Sequence, residues 1–198
     1  MTSVTGLELS LYERGGYLLR RGGLNPADVR AALSGQCAAG GLVGAPESAF
    51  LRLAALPAIA AVVEDLLPGP RRLSAFQWSA EASPKPHTAP VTWSRPPALP
   101  GGPGEQAAAL VSQGRGLRVA VAADCPASLW VVAGSHAAPL EPEQAAVLAA
   151  GQLQRGGATR LCLHPGSLLF YHPGLLLALI ESGLPLLVLC FDRAAPGD

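Results

Sequence analysis

The sequence predicts a mainly β fold with flanking helices, a sheet sandwich or barrel backed by helical segments grouped toward the front of the chain. Helical patterns occupy the first third of the chain. Short β-like runs then follow at residues 117–122, 129–132, 160–163, 167–171 and 186–191. Turn residues at Pro126, Gly134, Pro165-Gly166 and Gly183 separate those runs. Helices first and short strands afterwards, with no internal repeat, is the order expected of a closed or two-layered sheet covered by helices.

Residues 12–20 are short and apolar-rich and predict an early strand. Asn25-Pro26-Ala27-Asp28 is a helix start, with an N-cap, a proline at the first helical position and an acid in the first turn. That helix is expected to run to Leu33. Across residues 48–67, Phe50, Leu53, Ile59, Val62, Val63 and Leu66 recur at helical spacing; Pro57 divides the segment, and Pro68-Gly69-Pro70 ends it. Residues 83–104 hold seven prolines, too many for a central strand through their length, and read as a proline-rich loop whose second half is expected to be a mobile surface segment. One more short helix is expected over residues 142–150.

The 198 residues fit a single domain, 1–198, and the 49% hydrophobic content supplies a real core. With 14 basic and 14 acidic residues, and Lys85 as the one lysine, no stretch gathers enough positive charge to track a phosphate backbone. No nucleic acid partner is expected. Glu181, Ser182, Gly183 and Pro185 interrupt the most apolar stretch, so no membrane span is expected either. The opening residues lack a basic region followed by an apolar run, so no secretory signal is expected. Cys37, Cys125, Cys162 and Cys190 form no C-x-x-C pair and read as free thiols of a cytoplasmic protein.

Three segments carry a family resemblance. Tyr12-Glu13-Arg14-Gly15-Gly16-Tyr17-Leu18-Leu19-Arg20, Leu129-Trp130-Val131-Val132-Ala133-Gly134-Ser135-His136 and Pro165-Gly166-Ser167-Leu168-Leu169-Phe170-Tyr171-His172-Pro173 occur in that order across most of the chain. They resemble, respectively, the opening strand, the strand ending in Pro-Gly-Ser-His, and the late Gly-Asp-x-x-x-Phe-x-His-Pro stretch of the phytanoyl-CoA dioxygenase family. Ala133 stands where that family's proline is usual. The resemblance implies a double-stranded β-helix, a jelly-roll or cupin-like barrel, belonging to the iron(II)/2-oxoglutarate oxygenase superfamily. It also implies framework roles, not metal ligation, for His136 and His172.

Family chemistry needs two histidines and a carboxylate on one face of iron, with positions left open for 2-oxoglutarate and oxygen. Aligned through Lys85-Pro86 and Trp93, the His-x-Asp motif falls on Ser94-Arg95-Pro96. The distal histidine falls on Leu177. The arginine that grips 2-oxoglutarate falls near Leu186, and no arginine occurs between Arg160 and Arg193. Proline and leucine offer iron no side-chain donor, and serine is a poor one. The resemblance thus implies a degenerate member with vacated metal positions at Ser94, Pro96 and Leu177, a vacated co-substrate position near Leu186, and no cofactor.

Other chemistry is hard to assemble. His87 lies nearest the lost motif, but no carboxylate stands beside it in sequence. G-x-S-x-G, H-E-x-x-H, Walker A and dinucleotide glycine patterns are absent. Lys85, His87, Trp93 and Arg95 are the pocket candidates, clustered where a barrel mouth would lie. Three function classes follow. The first is a pseudoenzyme binding a small apolar ligand or a protein partner. The second is a cofactor-independent isomerase or cyclase using the inherited pocket. The third is an iron oxygenase with relocated ligands.

Overall fold

Thr5 and Glu8 start the chain's first helix. The Thr5 hydroxyl accepts the Glu8 N–H at 3.2 Å, and the Glu8 carboxylate accepts the Thr5 N–H at 2.8 Å. This reciprocal capping box satisfies donors that a helix start leaves over. Helix α1 spans Gly6–Gly15 and closes on Gly16, whose φ of +81° is the left-handed conformation of a glycine stop. The strand expected over residues 12–20 is therefore corrected: Tyr12 to Gly15 finish α1, and only β1, Tyr17–Arg20, is strand. Arg20 ties the two together, with Nε and Nη2 each 3.1 Å from a Glu8 carboxylate oxygen.

The computed structural model describes residues 3–33, 42–44, 48–79, 92–93, 116–122, 126–179 and 186–194. Helix α2, Pro26–Leu33, begins as expected, with Asn25 Oδ1 accepting the Ala27 N–H at 3.0 Å. Helices α3, Ser48–Ala54, and α4, Pro57–Leu66, are the two halves that Pro57 was expected to create. Strands β2, Leu42–Gly44, β3, Arg71–Ser79, and β4, Thr92–Trp93, frame the middle of the chain. Most of the proline-rich segment lies outside the described residues. The later elements are β5, Gly116–Ala122; β6, Ala127–Val132; α5, Pro142–Ala149; β7, Thr159–Leu163; β8, Leu168–Tyr171; β9, Leu176–Leu179; and β10, Leu186–Arg193.

These strands make two antiparallel sheets, ordered β1-β8-β5-β10-β3-β2 and β4-β9-β6-β7. From β5 onward the chain winds between them, β5 in the larger, β6 and β7 in the smaller, then β8, β9 and β10 alternating. This is the winding of a double-stranded β-helix.

Side chains alternate along each strand, so each sheet has two faces to cover. The inner faces meet in one cluster. Ala120, Ala122, Leu169 and Leu186 come from the larger sheet, and Leu129, Val131, Leu163 and Leu177 from the smaller. The outer face of the larger sheet, with Val119, Val121, Phe170, Leu187 and Leu189, packs on Val29, Phe50, Ile59 and Val62 of α2, α3 and α4. Trp130, Val132, Leu176 and Ala178 form the outer face of the smaller sheet, covered by Leu148 of α5 and Leu153. Burial on both sides is why β8 and most of β10 read as unbroken apolar runs.

Candidate functional site

Register places the site, because paired residues on neighbouring strands face the same way. One row across the larger sheet runs Tyr17, Tyr171, Arg118, Cys190. The next inner-facing row is Leu19, Leu169, Ala120, Val188, and beyond it Ala122 pairs with Leu186. The inner wall is therefore polar at one end and apolar for the rest of its depth. A short turn, residues 172–175, links Tyr171 to β9, so Leu175 and Leu177 lie at the polar end. All three pack in the inner cluster together with Tyr17.

Arg118 and Asp192 hold that end together. Arg118 Nη1 lies 3.2 Å from Asp192 Oδ1 and donates to the Phe191 carbonyl at 3.3 Å. The Ser74 hydroxyl donates to Asp192 Oδ2 and lies 3.1 Å from the Cys190 carbonyl. Ser74 sits where the register of β3 and β10 slips between Cys190 and Phe191, the local kink of a β-bulge. The three adjacent strands β5, β10 and β3 are thus pinned by side chains at the barrel's mouth. Burial pushes the Tyr171 phenol well above its ordinary range; the neighbouring Cys190 adds to the shift and Arg118 opposes it. Burial likewise pushes the Cys190 thiol up, against the pull of Arg118. Both groups are protonated donors at neutral pH.

Leu177 and Leu186, read as vacated positions, are 5% and 4% exposed and share the inner cluster. A leucine side chain carries no lone pair. With apolar neighbours on both sheets, Leu177 and Leu186 themselves offer a metal ion no side-chain donor. Among the described residues, no three of His, Cys, Asp or Glu stand close enough together to hold a metal ion. Trp93 ends β4 and pairs with Ala178, the neighbour of Leu177. The Trp93 side chain, and Lys85, His87, Ser94, Arg95 and Pro96 entirely, lie outside the described residues.

His136 and His172 come together at the same end, with ring centroids 5.1 Å apart and planes tilted by 50°. His136 Nε2 lies 3.2 Å from the Glu13 carbonyl, which fixes that nitrogen as the donor. His172 Nδ1 accepts the Gly174 N–H at 3.0 Å. Around them, Gly134 donates to the Gly15 carbonyl and His172 N–H to the Gly16 carbonyl. These contacts stitch the α1–β1 junction to the ends of β6 and β8.

The pocket candidates read from the sequence did not include Arg118, Tyr171, Cys190, Asp192 or Ser74. The signal was present: Arg118 is the single charge inside the apolar run 117–122, and Asp192 closes the run 186–191. A charge within an apolar strand marks a place where the barrel wall meets something polar.

No protein-family model matches the chain, and no curated protein matches it in sequence. Solved structures do match in shape. HygX from Streptomyces hygroscopicus, with nickel and 2-oxoglutarate bound, aligns with a TM-score of 0.69 at 16% identity over 97% of this chain and 88% of that one. EctD from S. alaskensis, in its apoform, aligns with a TM-score of 0.66 at 15% identity over 96% of this chain and 77% of that one. The non-heme alpha ketoglutarate dependent epimerase SnoN, from nogalamycin biosynthesis, aligns with a TM-score of 0.61 at 18% identity over 95% of this chain and 82% of that one. At such identities the likeness is one of fold alone, and that fold is the double-stranded β-helix.

Proposed function

We propose that this chain is a degenerate relative of the phytanoyl-CoA dioxygenase family that binds a small, largely apolar ligand in its barrel without iron or 2-oxoglutarate chemistry. The observation that carries this reading is the pair Leu177 and Leu186. Both are buried in the inner cluster, at the positions where the family resemblance puts an iron ligand and the co-substrate arginine. A hydrocarbon wall there favours an apolar occupant, because burying its surface is worth roughly 25 cal/mol per Å2. The shared fold of HygX, EctD and SnoN supports a common barrel and leaves the chemistry to the residues lining it.

Calorimetry with iron(II), with and without 2-oxoglutarate, tests the reading. The expected result is no stoichiometric tight site and no conversion of 2-oxoglutarate to succinate. A well-defined one-to-one isotherm, or iron-dependent succinate formation, overturns it.

A further inference from the structure

Hydrogen-bond donors are left over at the barrel's mouth. Arg118 spends Nη1 on Asp192 and on the carbonyls of Phe191 and Leu117, while its Nε and Nη2 have no partner among the described residues. Tyr171 is only 8% exposed, yet its phenol likewise makes no hydrogen bond there. The two residues are register partners on adjacent strands and face the inner cluster. The Arg118 side chain remains 26% exposed, so its spare donors stand at the edge of solvent, where an incoming acceptor can reach them. A guanidinium with two nitrogens free matches the two oxygens of a carboxylate better than any single acceptor.

We infer that the mouth of the barrel binds the carboxylate of an apolar organic acid, with Arg118 and Tyr171 donating to its oxygens. The hydrocarbon part lies against Tyr17, Leu19 and Val188, the partly exposed residues packed on the same inner cluster as Tyr171. Asp192 does not block this approach. It stands one inner-facing position nearer the rim than Cys190, paired with Gly116, and its charge is already engaged by Arg118 and Ser74. The inference rests on the barrel being a ligand-binding site and adds the polar anchor that selects among apolar ligands.

The test is calorimetry of the whole chain with straight-chain alkanoates from butanoate to decanoate, with phenylacetate, and with the alcohols of matching length. At least one acid is expected to bind saturably, one to one, and about tenfold or more tightly than its alcohol, because hydrogen bonds to charged groups are the stronger class. Arg118→Gln and Tyr171→Phe should each remove most of that preference, weakening the acid far more than the alcohol. Thermal midpoints of both variants check folding; if Arg118→Gln unfolds, Tyr171→Phe carries the comparison. Saturable binding by none of the acids, equal binding of acid and alcohol, or a preference that survives in a folded variant overturns the inference. Equal binding of acid and alcohol would leave the apolar-ligand reading standing. A stoichiometric iron site would remove that reading without touching the acid–alcohol comparison.

Discussion

The Ser135 hydroxyl accepts the backbone N–H of Leu176 at 2.9 Å and itself donates to the Val132 carbonyl at 2.7 Å. One buried side chain thereby ties the end of β6 to the start of β9, the two strands whose inner residues Val131 and Leu177 are register partners. Ser135→Ala leaves the Leu176 N–H buried without its acceptor. A loss of about 1–3 kcal/mol is expected, the cost of an unmet buried donor. Urea unfolding should show the midpoint lowered with the slope unchanged; a midpoint within error of the parent would mean that solvent reaches this N–H.

Gly166 makes a second, backbone-only joint. Its N–H donates to the Ala122 carbonyl, its carbonyl accepts the Leu24 N–H, and its φ is +79°. A Cβ added there would land on the Leu24 carbonyl oxygen. Gly166→Ala therefore adds a clash with rigid backbone to the left-handed penalty of about 1–2 kcal/mol. The expected loss exceeds that penalty, read as a lowered thermal midpoint. A variant as stable as the parent would mean that the loop before α2 shifts freely.

These contacts show which parts of the molecule its sequence makes legible. Strands β5, β6, β7, β8 and β10 are apolar enough, and flanked by enough turn residues, to be found from pattern. Helix α1 is not, because none of its residues is buried and no apolar stripe marks it; its sign is the Thr5-x-x-Glu8 box. Strand β3 mixes Arg71, Arg72, Ser74 and Gln77 with apolar residues, and β9 hides inside a longer leucine run, so neither reads as a separate strand. The site divides in the same way. Leu177 and Leu186 are singled out only through the family resemblance; what the structure adds is that both are buried in the inner cluster. The meeting of Arg118, Tyr171, Cys190 and Asp192 depends on which strands become neighbours, and residues 118 and 190 give no local hint of that.

Alkaline pH should weaken the fold through two phenols. Burial pushes Tyr171 and Tyr12 well above the ordinary 10.0, so each stays protonated in the fold after it would ionise in the unfolded chain. Their contribution is fully present below about pH 10 and is lost as pH rises through the raised folded value, because the unfolded state then binds fewer protons. Urea midpoints measured from about pH 8 to about pH 11 should fall across that window. Tyr171→Phe should flatten part of the fall. A variant whose midpoint drops as steeply as the parent's would show that Tyr171 ionises freely in the fold.

Leu177 and Leu186 give the sharpest test of the barrel's history. Both are nearly inaccessible and pack against the inner faces of both sheets. Burying each is worth roughly 1.5–3 kcal/mol, and truncating a buried leucine to alanine costs about 2–5 kcal/mol. Leu177→His with Leu186→Arg should cost more, since an arginine without a partner in that interior carries an uncompensated charge. In chelator, the double variant should melt well below the parent or fail to fold. Adding Ser94→His and Pro96→Asp rebuilds the whole proposed donor set. Iron(II) with 2-oxoglutarate should then raise the thermal midpoint of the quadruple variant, because a ligand that binds only the folded state stabilises it by mass action. The double variant, lacking two of the three metal donors, should gain little. A double variant as stable as the parent would place both leucines at the surface. A quadruple variant indifferent to iron would instead remove Ser94 and Pro96 from the mouth of the barrel, while leaving the apolar interior that Leu177 and Leu186 now complete.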